Sequence, residues 1–204
     1  MKIMTIAGFD PSNNAGILKD METFARYGCR AAGVVTAITF QNEHEFFSFH
    51  SLVPEQVLGQ IEAVRKGNKI EFIKIGLIGS QEITEALAGY ISSSRESDGI
   101  FVVCDPVHSA SAGKTITGDE GLKSFKKFMP GAVDLLTPNI DEVEILTGLR
   151  PADHDSMKEA ALELASAGFR NSYIKGGHLA GNPDDLLYSD GNFRFFTGYE
   201  RIPV

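Results

Sequence analysis

Short apolar runs recur along the chain, separated by longer segments in which apolar residues return every three or four places. Residues 3–7, 33–38, 72–75, 100–104, 133–136 and 172–175 form such runs and read as buried strands. Between them, residues 15–27, 54–66, 81–94, 118–128 and 156–167 carry helical spacing. Gly28, Gly67, Pro130 and Gly168 stop four of these helices, and a polar Ser/Arg/Glu/Asp stretch breaks the one that begins at Gln81. Strand and helix in alternation predict a mostly parallel sheet with helices on both faces. From Asp185 the pattern changes. Leu186-Leu187-Tyr188 and Phe193-Arg194-Phe195-Phe196 flank Ser189-Asp190-Gly191-Asn192, which reads as a late β-hairpin.

Composition narrows the class without changing the fold. The 204 residues are 43% hydrophobic and 23% charged, enough for one α/β domain with a sizeable core. No repeat, low-complexity tract or linker divides them, so a single domain over residues 1–204 is expected. A formal charge of -8, with no Lys/Arg cluster longer than two, argues against a nucleic-acid partner and for a small-molecule ligand. The chain shows neither a signal-peptide pattern nor an apolar run that spans a bilayer, so no membrane partner is expected. Cys29 and Cys104, both beside apolar residues, read as buried thiols of a reducing, cytoplasmic setting.

Polar clusters follow the strands: Gly8 to Asp20, Gln41-Asn42, Asp105-Pro106-Val107, Thr137-Pro138-Asn139-Ile140-Asp141-Glu142 and Lys175-Gly176-Gly177-His178. In a doubly wound sheet such ends face one edge, which makes them the expected ligand site. Two nucleotide signatures fail. Ser111-Ala112-Gly113-Lys114-Thr115 imitates the end of a P-loop, but His108 stands where its first glycine belongs, and no G-x-G-x-x-G opens a predicted helix.

The ordered set resembles a known family. Thr5-Ile6-Ala7-Gly8-x-Asp10-Pro11-Ser12-x-x-Ala15-Gly16-Ile17-x-x-Asp20, Thr36-Ala37-x-x-x-Gln41-Asn42, Lys74-Ile75-Gly76, Asp105-Pro106-Val107, Thr137-Pro138-Asn139-x-x-Glu142 and Lys175-Gly176-Gly177-His178 are similar to segments of the hydroxymethylpyrimidine/phosphomethylpyrimidine kinases of thiamine biosynthesis. That family has the ribokinase-like fold.

The resemblance implies an ATP- and Mg2+-dependent kinase acting on hydroxymethylpyrimidine or its phosphate, and a homodimer. It assigns the ring to Asp20 and Gln41, with Gly8, Ala15 and Gly76 contributing backbone and Leu77 and Val107 closing around it. Asn139, Glu142 and Lys175 fall to the nucleotide, Asp105 and Glu142 to magnesium, and Lys175 and Asp105 to catalysis. The residue types suit these roles. A carboxylate and an amide match the donor and acceptor edge of an aminopyrimidine, and a lysine supplies a point charge to a phosphoryl group.

Each assignment also has a plainer reading. Asp20 can also be read as a solvated helix acid, Gln41 as a turn cap, Asp105-Pro106 as a turn opener and Lys175 as a surface lysine. From local sequence alone, Asn139 and Glu142 read as well as a helix capping box. The five histidines show no metal-ligand spacing and stay outside the mechanism.

Three departures stand out. Asn13-Asn14 replaces a Gly-Gly pair, which the left-handed tolerance of asparagine accommodates. Phe9 occupies a position that is more often small and polar, with consequences for pocket size. The family also continues into a Gly-Thr-Gly-Cys segment that carries the anion hole, and no such segment occurs up to Val204, so a domain incomplete at its C-terminus is expected. Two other functions fit the pattern: a pyridoxine or pyridoxal kinase, separated by comparing kcat/KM on the two alcohols, and a non-catalytic pyrimidine-binding or regulatory module, separated by ligand binding without ATP consumption.

Overall fold

The structure, a computed structural model, describes residues 2–107, 118–179, 181–198 and 200. The P-loop imitation at residues 111–115, His108 and the last four residues lie outside that range. The chain forms two compact units, Met1–Ala132 and Val133–Val204.

The first unit contains β1 (Ile3–Phe9), α1 (Gly16–Arg26), β2 (Ala31–Gln41), β3 (Phe46–Ser51), α2 (Pro54–Arg65), β4 (Phe72–Ile75), α3 (Gln81–Asp98), β5 (Phe101–Cys104) and α4 (Asp119–Phe128). Its strands lie in the order β3-β2-β1-β4-β5. β1 pairs in parallel with β2 and β4, and β4 with β5, while β3 runs antiparallel to β2. Met4 through Ala7 are fully buried in succession. Burial without alternation means both faces of β1 are covered, as a central parallel strand requires.

Helix packing in this unit is fixed by polar ties as well as apolar faces. Ser80 caps α3 by accepting from the Ile83 N–H at 3.3 Å, and Gly99 ends it at φ 63°. Arg65 on α2 binds Asp98, Ser94 and Tyr90 on α3. Among the described residues no helix is long and apolar enough to cross a membrane.

The second unit contains β6 (Leu135–Leu136), α5 (Ile140–Thr147), α6 (His154–Ser166), β7 (Ser172–Ile174), a 3-10 turn (Gly176–His178), β8 (Asp185–Ser189) and β9 (Asn192–Phe196). β6 and β7 are parallel, and β8 and β9 add antiparallel strands. The expected hairpin is present. Its central residues Asp190 and Gly191 both take positive φ, 50° and 78°, the twist that matches two-residue hairpin turns.

One strand lies outside the expected pattern, and two expectations need correction. β3 carries no run of pure apolar alternation, because Phe46-Phe47-Ser48-Phe49-His50-Ser51 sits at a sheet edge with only Phe46 buried. Its position is set by the Asn42 turn, where the Asn42 side chain accepts from the His44 and Glu45 N–H groups, each at 2.9 Å. The strand predicted at residues 133–136 shortens to Leu135–Leu136, since Val133 and Asp134 belong to the approach. Cys29 is exposed after the Gly28 stop, and only Cys104 is buried.

Replacing Gly191 by valine forces a β-branched residue to φ 78°. It is expected to lower stability by about 1–3 kcal/mol, read as a shift in urea midpoint at unchanged m-value.

Candidate active site

In the first unit, the turn from β1 to α1 is built on one carboxylate. Asp10 is buried at 2% exposure. Its Oδ1 accepts from the Ser12 N–H at 2.8 Å and the Ser12 hydroxyl at 2.7 Å, and its Oδ2 from the N–H groups of Asn14 at 3.1 Å and Ala15 at 2.9 Å. The Gln41 side chain reaches the same carboxylate from the end of β2. Helix α1 receives no cap from its own N-cap side chain, Ala15, so Asp10 satisfies that amide from upstream. Burial pushes the Asp10 carboxyl up, but the Ser12 hydroxyl and amide, the Gln41 side chain and the Ala15 amide outweigh it and hold it below the usual aspartate range.

The same turn demands two left-handed residues. Asn13 sits at φ 60°, as its replacement of glycine implies. Gly16 sits at φ 62°, and a Cβ there would lie 2.2 Å from the Gly8 carbonyl oxygen. The loop is therefore folded tightly onto the end of β1.

Asp20, one turn into α1, is engaged from both sides. Lys74 of β4 donates to its Oδ1 at 2.9 Å and its Oδ2 at 2.8 Å, and the Thr5 hydroxyl of β1 donates to Oδ2 at 2.5 Å. Next to this group, a Cβ on Gly76 would meet the Lys74 ammonium at 3.0 Å and Ala7 at 3.1 Å. Leu77 packs over Gly8, leaving 3.0 Å for a Cβ there, and its carbonyl accepts from the buried Thr36 hydroxyl at 2.5 Å. Asp105 continues from β5 beside β4, its N–H on the Ile75 carbonyl at 2.9 Å, and the Val107 N–H closes onto the Asp105 carbonyl at 2.8 Å.

Seven positions expected to meet the ring thus fall around the carboxyl ends of β1, β2, β4 and β5 within this unit. One refinement concerns backbone. The Ala15 N–H is spent on Asp10 and the Gly76 N–H on the Ile6 carbonyl at 2.9 Å. These two positions offer a ring their carbonyls and surface, not their donors.

In the second unit, Asn139 and Glu142 form a reciprocal cap at the start of α5. Asn139 Oδ1 accepts from the Glu142 N–H at 2.9 Å, and Glu142 Oε2 from the Asn139 N–H at 2.8 Å. Lys175 lies beside them, paired with Asn139 in an isolated parallel bridge and with its N–H on the Pro138 carbonyl at 2.8 Å. Its ammonium sits 4.0 Å from Glu142 Oε2. The close approach expected at the glycine pair is internal at Gly176, where a Cβ would stand 1.9 Å from the Asp184 carbonyl oxygen. Gly177 is open.

Sequence reading missed four participants: Asp10, Lys74, Asp141 and His178. His178 Nδ1 and Asp141 Oδ2 are 2.6 Å apart, so a histidine set aside as uninvolved ties the lysine turn to α5. Burial pushes the Asp141 carboxyl up, but Arg150 and His178 hold it below the usual range. Asp10 was signalled by the Asp-Pro-Ser turn itself, whereas nothing local marks Lys74 as the partner of a residue fifty-four positions away.

Magnesium takes hard oxygen ligands and commonly only one or two protein carboxylates, the rest being phosphate and water. Glu142, buried and carboxylate-bearing at a helix start, fits that demand, and among the described residues no cluster of three acidic or histidine ligands competes with it.

The mostly parallel α/β sheet is that of a small-molecule kinase of ribokinase-like fold. The family model described as phosphomethylpyrimidine kinase matches residues 10–203, and the chain belongs to that family. It is 34% identical over 197 residues to the hydroxymethylpyrimidine/phosphomethylpyrimidine kinase of Aquifex aeolicus, covering 96% of this chain and 76% of that one. The crystal structure of phosphomethylpyrimidine kinase (thiD) from Clostridium difficile superposes with a TM-score of 0.85 at 31% identity, covering 97% of this chain and 84% of that one. A Staphylococcus aureus pyridoxal kinase in complex with AMP-PCP and pyridoxal is a more distant relative, with TM-score 0.79 and 25% identity, covering 94% of this chain and 69% of that one.

Because Asp10 is held below its ordinary range, its ionised form contributes stability that is complete above that range and drains away as pH falls through it. Asp10→Asn should therefore flatten the acid limb of a stability–pH curve measured by urea unfolding. Asp10→Ala, which strands several partly buried donors, should cost about 2–4 kcal/mol near neutral pH.

Proposed function

We propose that this chain transfers the γ-phosphoryl group of ATP to the alcohol of hydroxymethylpyrimidine, and to the phosphate of its monophosphate, as a kinase of thiamine biosynthesis. The observation that carries the reading is the Lys175 ammonium held 4.0 Å from the buried Glu142 carboxylate at the start of α5. A cation, a hard oxygen ligand and a helix N-terminus in one place are what a triphosphate needs.

Asp20 and Gln41 are assigned to the ring edge. Asp20 keeps capacity for it, since a carboxylate offers about four acceptor sites and Lys74 and Thr5 use three. Gly8, Ala15, Gly76, Leu77 and Val107 form the wall. Asn139, Glu142 and Lys175 receive the nucleotide, and Lys175 neutralises charge on the phosphoryl group in flight. Asp105 in the first unit and Glu142 in the second are each assigned to magnesium as oxygen ligands, and the metal would supply positive charge to the phosphates. On the alcohol the reaction yields a phosphate ester and ADP and releases the hydroxyl proton; on the monophosphate it yields a phosphoanhydride and ADP.

A homodimer in a cytoplasmic setting belongs to the same reading. The exposed Ile38 and Phe40 of β2, Phe47 of β3 and Val53 give the first unit an apolar surface that a second copy would cover.

The full-length protein supplied with ATP and hydroxymethylpyrimidine should release ADP, and an outcome with neither turnover nor pyrimidine binding rejects the proposal. Lys175→Met is expected to reduce kcat by roughly 10²–10³-fold, with the KM for the pyrimidine little changed. Coupled ADP detection at saturating pyrimidine measures this. On pyridoxine the wild-type kcat/KM should be the lower of the two, and the reverse order reassigns the substrate.

A further inference from the structure

Three elements of the first unit meet at one carboxylate. Thr5 comes from β1, Lys74 from β4 and Asp20 from α1. The Lys74 ammonium donates to both Asp20 oxygens, at 2.9 and 2.8 Å, and Thr5 adds a second bond to Oδ2. The group is largely withdrawn from solvent, with side-chain exposures of 25% for Lys74 and 17% for Asp20. That sets it apart from the exposed pairs Lys19–Glu22 and Lys123–Glu120, whose geometry is held weakly.

The bonding pattern decides what Asp20 has left to give. Oδ2 has two partners and Oδ1 has one, so the remaining acceptor site is on Oδ1. A carboxylate that accepts at both oxygens from an ammonium has no proton to donate. It presents one fixed acceptor and no donor. The ring substituent that satisfies it must itself be a donor, such as an exocyclic amino group.

Gly76 belongs to the same arrangement. The Lys74 ammonium passes so close over it that any side chain there would meet the amine at about 3.0 Å. The glycine keeps the lysine on its path to Asp20, while its own N–H stays in the sheet on the Ile6 carbonyl.

We propose that Lys74 is a positioning residue for ring selection: by fixing Asp20 as a one-site acceptor it makes the pocket discriminate in favour of a heterocycle bearing an amino group. This rests on the assignment of Asp20 to the ring, and Lys74 itself need not touch the substrate. A buried site built to pair a substrate N–H rejects the analogue that lacks it far more strongly than an apolar pocket rejects a missing methylene.

The test compares hydroxymethylpyrimidine with its analogue in which hydrogen replaces the amino group, using full-length protein and saturating ATP. Wild type should favour the amino compound in kcat/KM by at least about tenfold, as expected when a charged acceptor loses its partner. Lys74→Met should raise the KM for the amino compound by about 10–100-fold with kcat and the KM for ATP within about threefold, and should bring the preference close to unity. Lys74→Gln, which keeps one donor, should fall between. Equal losses on both compounds, or a parallel rise in the KM for ATP, mean a merely structural role and overturn the proposal. Asp20→Asn separates the two layers. If it leaves the amino preference intact, the assignment of Asp20 fails and the proposal with it; if it abolishes the preference while Lys74→Met retains it, only the role of Lys74 is overturned. Should Lys74→Met not accumulate as folded protein, Lys74→Gln and Thr5→Val carry the same comparison, and an unchanged preference in both overturns it.

Discussion

A single buried carboxylate holds the first unit's site together. Asp10 accepts four hydrogen bonds from Ser12, Asn14 and Ala15 and meets Gln41 as well. A buried charge is costly unless its acceptor sites are filled, and here the chain fills them with the amides of the turn itself. Neutralising the charge and shaping the loop are one event. The consequences propagate: Ala15 is fixed as the start of α1, Gly16 is pressed onto Gly8, and Asp20 is delivered one helical turn later over β1 and β4.

The second unit uses the same economy with different groups. Asn139 and Glu142 satisfy each other's amides, so these two groups of the helix start are held without a ligand. On the far side of the lysine turn, Asp185 accepts from the Gly176 N–H at 2.7 Å and from the Tyr173 hydroxyl at 2.8 Å. Lys175 is held by its backbone between these two anchors, which leaves its side chain to be set by charge. The capping reading and the phosphate reading of Asn139 and Glu142 are not rivals. A capping box consumes one oxygen of each side chain, and a carboxylate still has acceptor sites for a cation.

What the sequence made legible follows from how local each feature is. The strand at Phe72–Ile75 and the hairpin around Asp190-Gly191 are written in consecutive residues, by apolar continuity and by turn chemistry. β3 was not, because an edge strand with only Phe46 buried has no core face to impose a pattern. The candidate site divides the same way. Asp20, Gln41 and Lys175 stood out by residue type at strand or helix ends, and resemblance gave them roles. Lys74 and His178 matter through partners 54 and 37 positions away, and no window of sequence contains such a pair.

A chain with formal charge -8 is a poor host for a polyanion if judged by its overall field. At the ionic strength of a cell, fields from exposed charges decay over about 8 Å, so the sum matters less than what stands within one such length of the phosphate. At the start of α5, Asp141 and Glu144 share Arg150, and Asp141 also meets His178, so these two acids are partly compensated from within the second unit. Lys175, Arg150 and the positive end of the helix are the local cations, set against Asp141, Glu142 and Glu144. The acidity of the rest keeps the surface solvated and leaves the anion site to a few residues. Under the proposed function, an acidic protein would meet a nucleotide in this way without a basic patch.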